Sequence, residues 1–157
     1  VSNFERRSTS LVTDALRHVD IAFMNELELG FVADCEIGTD ESPESIGEKT
    51  KSVFAGEFEG VLVMHSAKNA HMITSQGVQH SAKSIQLPPE RIKGTVGAGD
   101  AFAAGYLMAH LQGHSPQTAL QWAAAAGASC LLGEGASNGV LPIEEALGLL
   151  KGTPIYE

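Results

Sequence analysis

The chain has 157 residues, 43% of them hydrophobic, and its formal net charge is −9. That length supports a core of its own, so one folding unit over residues 1–157 is expected. An acidic balance with no basic stripe, and with no aromatics interleaved among Lys and Arg, excludes a nucleic-acid binder. No apolar run is long enough for a membrane partner or span, and Asn3, Glu5, Arg6 and Arg7 do not form the apolar core of a signal peptide, so a soluble, cytoplasmic protein is expected. Cys35 and Cys130 alone make no disulfide framework.

Phe4, Leu11, Val12 and Ala15 share one helical face, with Leu16 at its edge, which predicts an amphipathic helix ending near Arg17. The apolar run at 20–24 reads as a short buried strand, and Asn25 as the cap of a helix reaching Ala33 or Asp34. An acidic connection through Asp40 and Glu41 leads to a helix capped by Ser42, with Pro43 in its first position, ending near Ala55 and Gly56. A second apolar strand at 60–64 completes a strand, helix, strand succession, which implies a parallel crossover with helices packed on the sheet. Strands at 70–75 and 78–81 flank Gln76 and Gly77 and predict an edge hairpin. From Ala98 onward the pattern is helical, with helices to about Gln112, over 116–132 behind a Ser115 cap, and over 142–151. His110 and His114 are four apart, but Gly113 ends the helix between them and no Cys or acidic partner stands at metal spacing, which argues against zinc.

The run Gly94-Thr95-Val96-Gly97-Ala98-Gly99-Asp100 joins a glycine-rich turn to a helix and places one carboxylate in its first turn. Gly97 and Gly99 let backbone approach a ligand closely, and unpaired amides at a helix start favour anions. A carboxylate beside polyphosphate is repelled, so Asp100 makes sense if it faces a nucleophile and accepts a hydroxyl proton during phosphoryl transfer. The plainer reading is that Asp100 complements the helix dipole, worth roughly 0.3–1 kcal/mol. Ala101, Ala104, Gly105 and Met108 fall at helical spacing and predict a small-residue face packed on a sheet. No Gly-Lys-Ser/Thr ends the loop, so it is not a P-loop, and Phe102 stands where a dinucleotide fingerprint needs its third glycine.

Thr-Val-Gly-Ala-Gly-Asp-Ala-Phe at 95–102 resembles the C-terminal signature of the ribokinase-like, or PfkB, carbohydrate kinases. The resemblance implies an α/β fold of the ribokinase-like three-layer α/β/α kind, incomplete here, with parallel strands, an edge hairpin and C-terminal helices. It implies ATP-dependent phosphoryl transfer to a sugar or nucleoside hydroxyl, with Asp100 as catalytic base and the amides of Gly97, Ala98 and Gly99 as anion hole. Thr95, Ser66, Gly97 and Gly99 then face the nucleotide. Asn25-Glu26-Leu27-Glu28 is similar to the family's Asn-x-x-Glu, which implies that Asn25 and Glu28 help hold Mg2+ and the phosphates of ATP; the same spacing also fits ordinary helix capping. Three departures stand out. Met64, Ser66 and Asn69 occupy the places of a Thr-x-Gly-x-x-Gly turn, Ala124 replaces a nucleotide-side Asn, and Gly94 replaces an Asp, which weakens the case for a monovalent-cation site. Lys68 and Lys93 are candidate cations for the polyphosphate, set against the default of solvated surface lysine.

The resemblance runs from about residue 11 to the end but reaches only the C-terminal part of the family pattern, so the chain reads as a nucleotide-binding half. The expected partners are ATP or ADP, a sugar or nucleoside acceptor, and, at an exposed sheet edge, either a second copy in a homo-oligomer or a missing N-terminal half. The alternative to a kinase is a non-catalytic nucleotide-binding or assembly module. No residue present specifies the acceptor.

Overall fold

The computed structural model describes residues 7–56 and 58–152; Phe4, expected on the opening helix, lies outside them. The chain divides into two compact units, one built from the described residues up to Ser66 with His71–His80, the other from Ala67–Ala70 with the described residues from Ser81 onward.

In the first unit, helix α1 (Arg7–Leu16) leads to strand β1 (Ile21–Asn25), then to helices α2 (Glu26–Ala33), α3 (Pro43–Lys49) and α4 (Lys51–Ala55), and to strand β2 (Val61–His65). β1 and β2 pair in parallel, with Ile21 opposite Val61 and Asn25 opposite His65. Leu62, Val63 and Met64 are all buried in succession, as a strand covered on both faces requires. Ala22 and Met24 of β1 join Leu29, Val32, Ile46, Val53, Phe58 and Leu62 in one apolar core. The helix expected from Ser42 to Ala55 is two helices that meet at Thr50, a buried residue whose amide and hydroxyl both donate to the Ile46 carbonyl, at 3.0 and 2.8 Å.

Strands β3 (Asn69–Thr74) and β4 (Gly77–Lys83) complete a four-stranded sheet of order β1-β2-β3-β4. The hairpin turn is Ser75-Gln76, one residue earlier than the pattern predicts. Thr74 sets it: its hydroxyl accepts from the Gln76 amide at 3.3 Å and meets the Gln76 side chain at 2.9 Å, leaving Gly77, at φ 111°, to open β4. On the acidic connection, Glu41 accepts hydrogen bonds from the Lys49 ammonium, from the Ser45 hydroxyl at 2.5 Å and from the Gly38 amide at 2.9 Å. These bonds, that of Lys49 foremost, pull its carboxyl from 4.5 down to about 2.

The second unit is helical: α5 (Ala98–Leu111), α6 (Pro116–Cys130), α7 (Ile143–Ala146) and α8 (Leu149–Gly152) follow a short 3-10 turn at Pro89–Arg91. Ser115 caps α6 through the Thr118 amide at 3.2 Å, with Pro116 in the first turn. The last expected helix breaks at Leu147 and Gly148, where glycine costs about 1 kcal/mol in a helix interior. α5 buries Ala101, Phe102, Gly105, Tyr106 and Ala109, whereas Ala104 and Met108 are exposed. Gly105 of this face meets α6. A Cβ on Gly105 would stand 2.7 Å from the Trp122 carbonyl oxygen and 2.8 Å from the Ala126 methyl carbon.

Two outcomes follow from these contacts. Gly105→Val should lower stability by on the order of 2–3 kcal/mol, read by urea denaturation, since neither neighbour is the movable end of a side chain. Because the folded-state pKa of Glu41 lies below 4.5, its stabilisation is fully present above that value and is lost as pH falls through about 2. Glu41→Gln should be less stable at neutral pH and lose less between pH 4.5 and about 2; an unaltered acid limb in the denaturation series would remove Glu41 as its cause.

Candidate functional site

The start of α5 is capped by backbone alone. Gly97 is its N-cap at φ 84°, in the left-handed region, and no side chain caps the helix. A Cβ at Gly97 would also overlap the carbonyl oxygen of Ala136, so glycine is required here by conformation and by space. The Ala98 amide points to the Thr95 carbonyl at 3.4 Å, and the Ala101 amide to the Gly97 carbonyl at 2.9 Å. Between them, the amides of Gly99 and Asp100 belong to the first turn, where no intrahelical acceptor exists. Thr95 and Asp100 are exposed, so Asp100 projects its carboxylate from the positive end of the helix dipole.

Behind this turn lies a segment that the residue pattern did not single out. Gly133, Gly135 and Gly139 let residues 133–139 fold tightly: a Cβ on Gly133 would overlap the Gly139 backbone, and one on Gly139 would stand 2.5 Å from the Cys130 carbonyl oxygen. The buried Cys130 thiol lies 3.3 Å from the Ala136 carbonyl oxygen and 3.7 Å from that of Val96. Burial, with a contribution from the charge of Asp100, pushes the thiol pKa up. The glycine spacing after α6 was the available signal. Lys93 is exposed, and its amide donates to the Leu131 carbonyl at 2.8 Å, fastening the approach to the turn.

The remaining candidates lie in the first unit. Asn25 and Glu28 form a reciprocal capping box: the Glu28 amide donates to Asn25 Oδ1 at 2.8 Å, and the Asn25 amide donates to Glu28 Oε2 at 2.9 Å. Both stand at the carboxyl end of the parallel β1–β2 pair, where open α/β sheets bind ligands. Opposite Asn25, His65 has its pKa lowered by burial, against the opposing pull of Glu26 and Glu28. Ser66 follows, and its hydroxyl donates to the Thr39 carbonyl at 2.7 Å, tying the end of β2 to the acidic connection. The structure therefore gathers Thr95, Gly97, Ala98, Gly99 and Asp100 at one turn, and Asn25, Glu28 and Ser66 in the vicinity of one strand end. His110 stacks on Tyr106 with ring centroids 6.2 Å apart, and His114 meets Trp122 at 4.9 Å.

The sequence profile described as pfkB family carbohydrate kinase matches residues 3–144. Among curated proteins, the chain is 29% identical over 143 residues to a ribokinase of Arabidopsis thaliana, covering 91% of this chain and 36% of that one. It is 28% identical over 126 residues to a 5-dehydro-2-deoxygluconokinase of Listeria monocytogenes, covering 75% of this chain and 38% of that one. The solved structure of Arabidopsis thaliana ribokinase complexed with ribose and ATP superposes with a TM-score of 0.72 at 24% identity, over 88% of this chain and 43% of that chain. Vibrio cholerae fructokinase in its fructose, ADP and calcium ion bound form gives 0.71 at 23% identity, over 90% and 44%. An E. coli structure in complex with ATP and Mg2+ gives 0.71 at 17% identity, over 95% and 46%. These likenesses show a ribokinase-like α/β fold, and the chain spans well under half the length of the curated relatives it matches.

Gly97→Ala tests the turn directly. It combines a positive φ with overlap of a backbone oxygen, so we expect a loss of about 2–4 kcal/mol in urea denaturation. A loss under about 1 kcal/mol would mean that the turn relaxes freely.

Proposed function

Because the chain belongs to the pfkB family of carbohydrate kinases, whose profile matches residues 3–144, we propose that it is the nucleotide-binding half of an enzyme transferring phosphate from ATP to a sugar or nucleoside hydroxyl. The observation that carries this reading is the uncapped start of α5 behind Gly97, where the backbone leaves room for no side chain. Backbone amides aimed outward at a helix start are suited to the charge that gathers on a transferred phosphoryl group. We assign the anion hole to Gly97, Ala98 and Gly99; Ala98 is already drawn toward the Thr95 carbonyl at 3.4 Å, so Gly99 carries more of that role. Thr95 and Ser66 are the remaining nucleotide-side residues of this reading.

Asp100 is the base. It is exposed, projects from the same turn and can accept the proton of an acceptor hydroxyl as that oxygen attacks phosphorus. Positioning dominates such a reaction, so the carboxylate need not be strong. Asn25 and Glu28 are assigned to Mg2+. The donor chemistry fits best at Glu28, which spends one carboxylate oxygen on the capping box and keeps a second, hard one for a hard cation; Asn25 has a single side-chain oxygen, already accepting in the cap, and could meet the ion only through its second lone pair. Bound with ATP, the ion would supply neutralisation of phosphate charge.

A second reading, nucleotide binding without transfer, is favoured by the chain's span of only 36% of the Arabidopsis relative. Calorimetric titration with magnesium-ADP separates the possibilities. We expect binding at one site, lost in Gly97→Ala and kept in Asp100→Asn; absence of heat from the folded chain would overturn the cradle. With ATP and a panel of sugar and nucleoside acceptors, Asp100→Asn should lower turnover by on the order of 10² to 10⁴. Binding with no transfer to any acceptor would leave the second reading.

A further inference from the structure

The last turn of α6 ends in two buried polar side chains to which the proposed chemistry gives no role. The Ser129 hydroxyl donates to the Ala126 carbonyl at 2.8 Å and accepts from the Leu141 amide at 3.3 Å, which fixes the far end of the 131–141 segment. Cys130, 1% exposed, sits with its sulfur 3.3 Å from the Ala136 carbonyl oxygen and 3.7 Å from the Val96 carbonyl oxygen. Those two carbonyls belong to different loops. One precedes Gly97 directly, and the other is the oxygen that a Cβ on Gly97 would overlap.

The Cys130 thiol is a side-chain donor within reach of both carbonyl oxygens, that of Ala136 at 3.3 Å and that of Val96 at 3.7 Å. A thiol brings one proton and a polarisable sulfur, enough to serve either oxygen in turn at a small desolvation cost. We propose that Cys130 is a positioning residue, whose thiol proton, donated to Ala136 O and Val96 O, sets the spacing of the two loops and so the aim of the amides at the start of α5. The raised pKa of the thiol agrees with this role, since it keeps the proton in place. The clamp is a property of the fold; its consequence for nucleotide rests on the reading of Gly97–Asp100 as a phosphate cradle.

Amide hydrogen exchange on the 157-residue chain tests the clamp without any ligand. The reporters are the amides of Lys93, Ala101, Val140 and Leu141, each hydrogen-bonded within or beside these loops. Cys130→Ala should speed their exchange by about tenfold while leaving the amides of β1 and β2 unchanged, and Cys130→Ser, which restores a donor, should bring the rates back toward those of the parent. Equal rates in the parent and Cys130→Ala, or equal acceleration in both variants, would overturn the proposal, the latter by making packing rather than the proton responsible. Should the alanine variant not fold, the infrared S–H stretch in a Cys35→Ala background reads the same bond: a shifted band supports the clamp, and one at the free-thiol position overturns it. In the same samples magnesium-ADP affinity should fall about tenfold in Cys130→Ala and recover in Cys130→Ser. A parent chain that binds no ADP defeats the cradle reading, while the exchange rates still decide the clamp.

Discussion

The approach of the Ala136 carbonyl to the α-carbon of Gly97 is the constraint around which the start of α5 is arranged. It admits no side chain at 97, and the left-handed φ of 84° turns the incoming backbone into the helix without a capping side chain. A serine or aspartate cap would have consumed the amides that a helix start otherwise offers to an anion. Capping by conformation rather than by side chain leaves those amides outward. The same approach demands that residues 133–139 be compact, which the close packing of Gly133 against Gly139 provides.

Compactness at the loop depends in turn on how closely α5 and α6 lie. Gly105 faces the Trp122 carbonyl and the Ala126 methyl, and a Cβ on Gly127 would stand 3.3 Å from the Ala98 carbonyl and 3.4 Å from the Phe102 Cβ. Large side chains at these positions would move the helices apart and carry the end of α6, with Ser129 and Cys130, away from the turn they hold. The buried alanines at 123–126 therefore do more than favour helix. They set the distance at which Cys130 reaches both loops.

What could be read from residue order was local chemistry. The parallel strand pair, the Asn25 and Ser42 caps, proline in the first turns of α3 and α6, and the Gly97–Asp100 turn all depend on neighbours a few positions away, and each stands where its pattern put it. The departures arise from competition or from long range. Thr50, whose amide and hydroxyl share the Ile46 carbonyl, stands where one expected helix divides into two, and the Thr74 hydroxyl accepts from the Gln76 amide in a hairpin turn one residue earlier than the pattern predicts. Ala101 and Ala104 are alike to any hydrophobicity scale, and only the partner helix distinguishes the buried one, Ala101, from the exposed one. Cys130 meets Val96, and Ala136 meets Gly97, across separations of more than thirty residues, which no periodicity encodes.

Asn25 and Glu28 show why a structural and a chemical reading of one motif need not compete. The capping box uses Asn25 Oδ1 and Glu28 Oε2, each accepting from the other residue's amide at under 3 Å. Those bonds stabilise the start of α2, and they also remove the freedom of two side chains that would otherwise sample several rotamers. A carboxylate so held has already lost the entropy that binding a cation would cost it. Its second oxygen stays available on an exposed residue at the carboxyl end of a parallel strand pair, where backbone ends and side chains converge rather than pack. Capping is thus what would make Glu28 a preorganised ligand rather than a floppy surface acid, and under the proposed reading the short Asn-x-x-Glu spacing would serve both purposes with the same geometry.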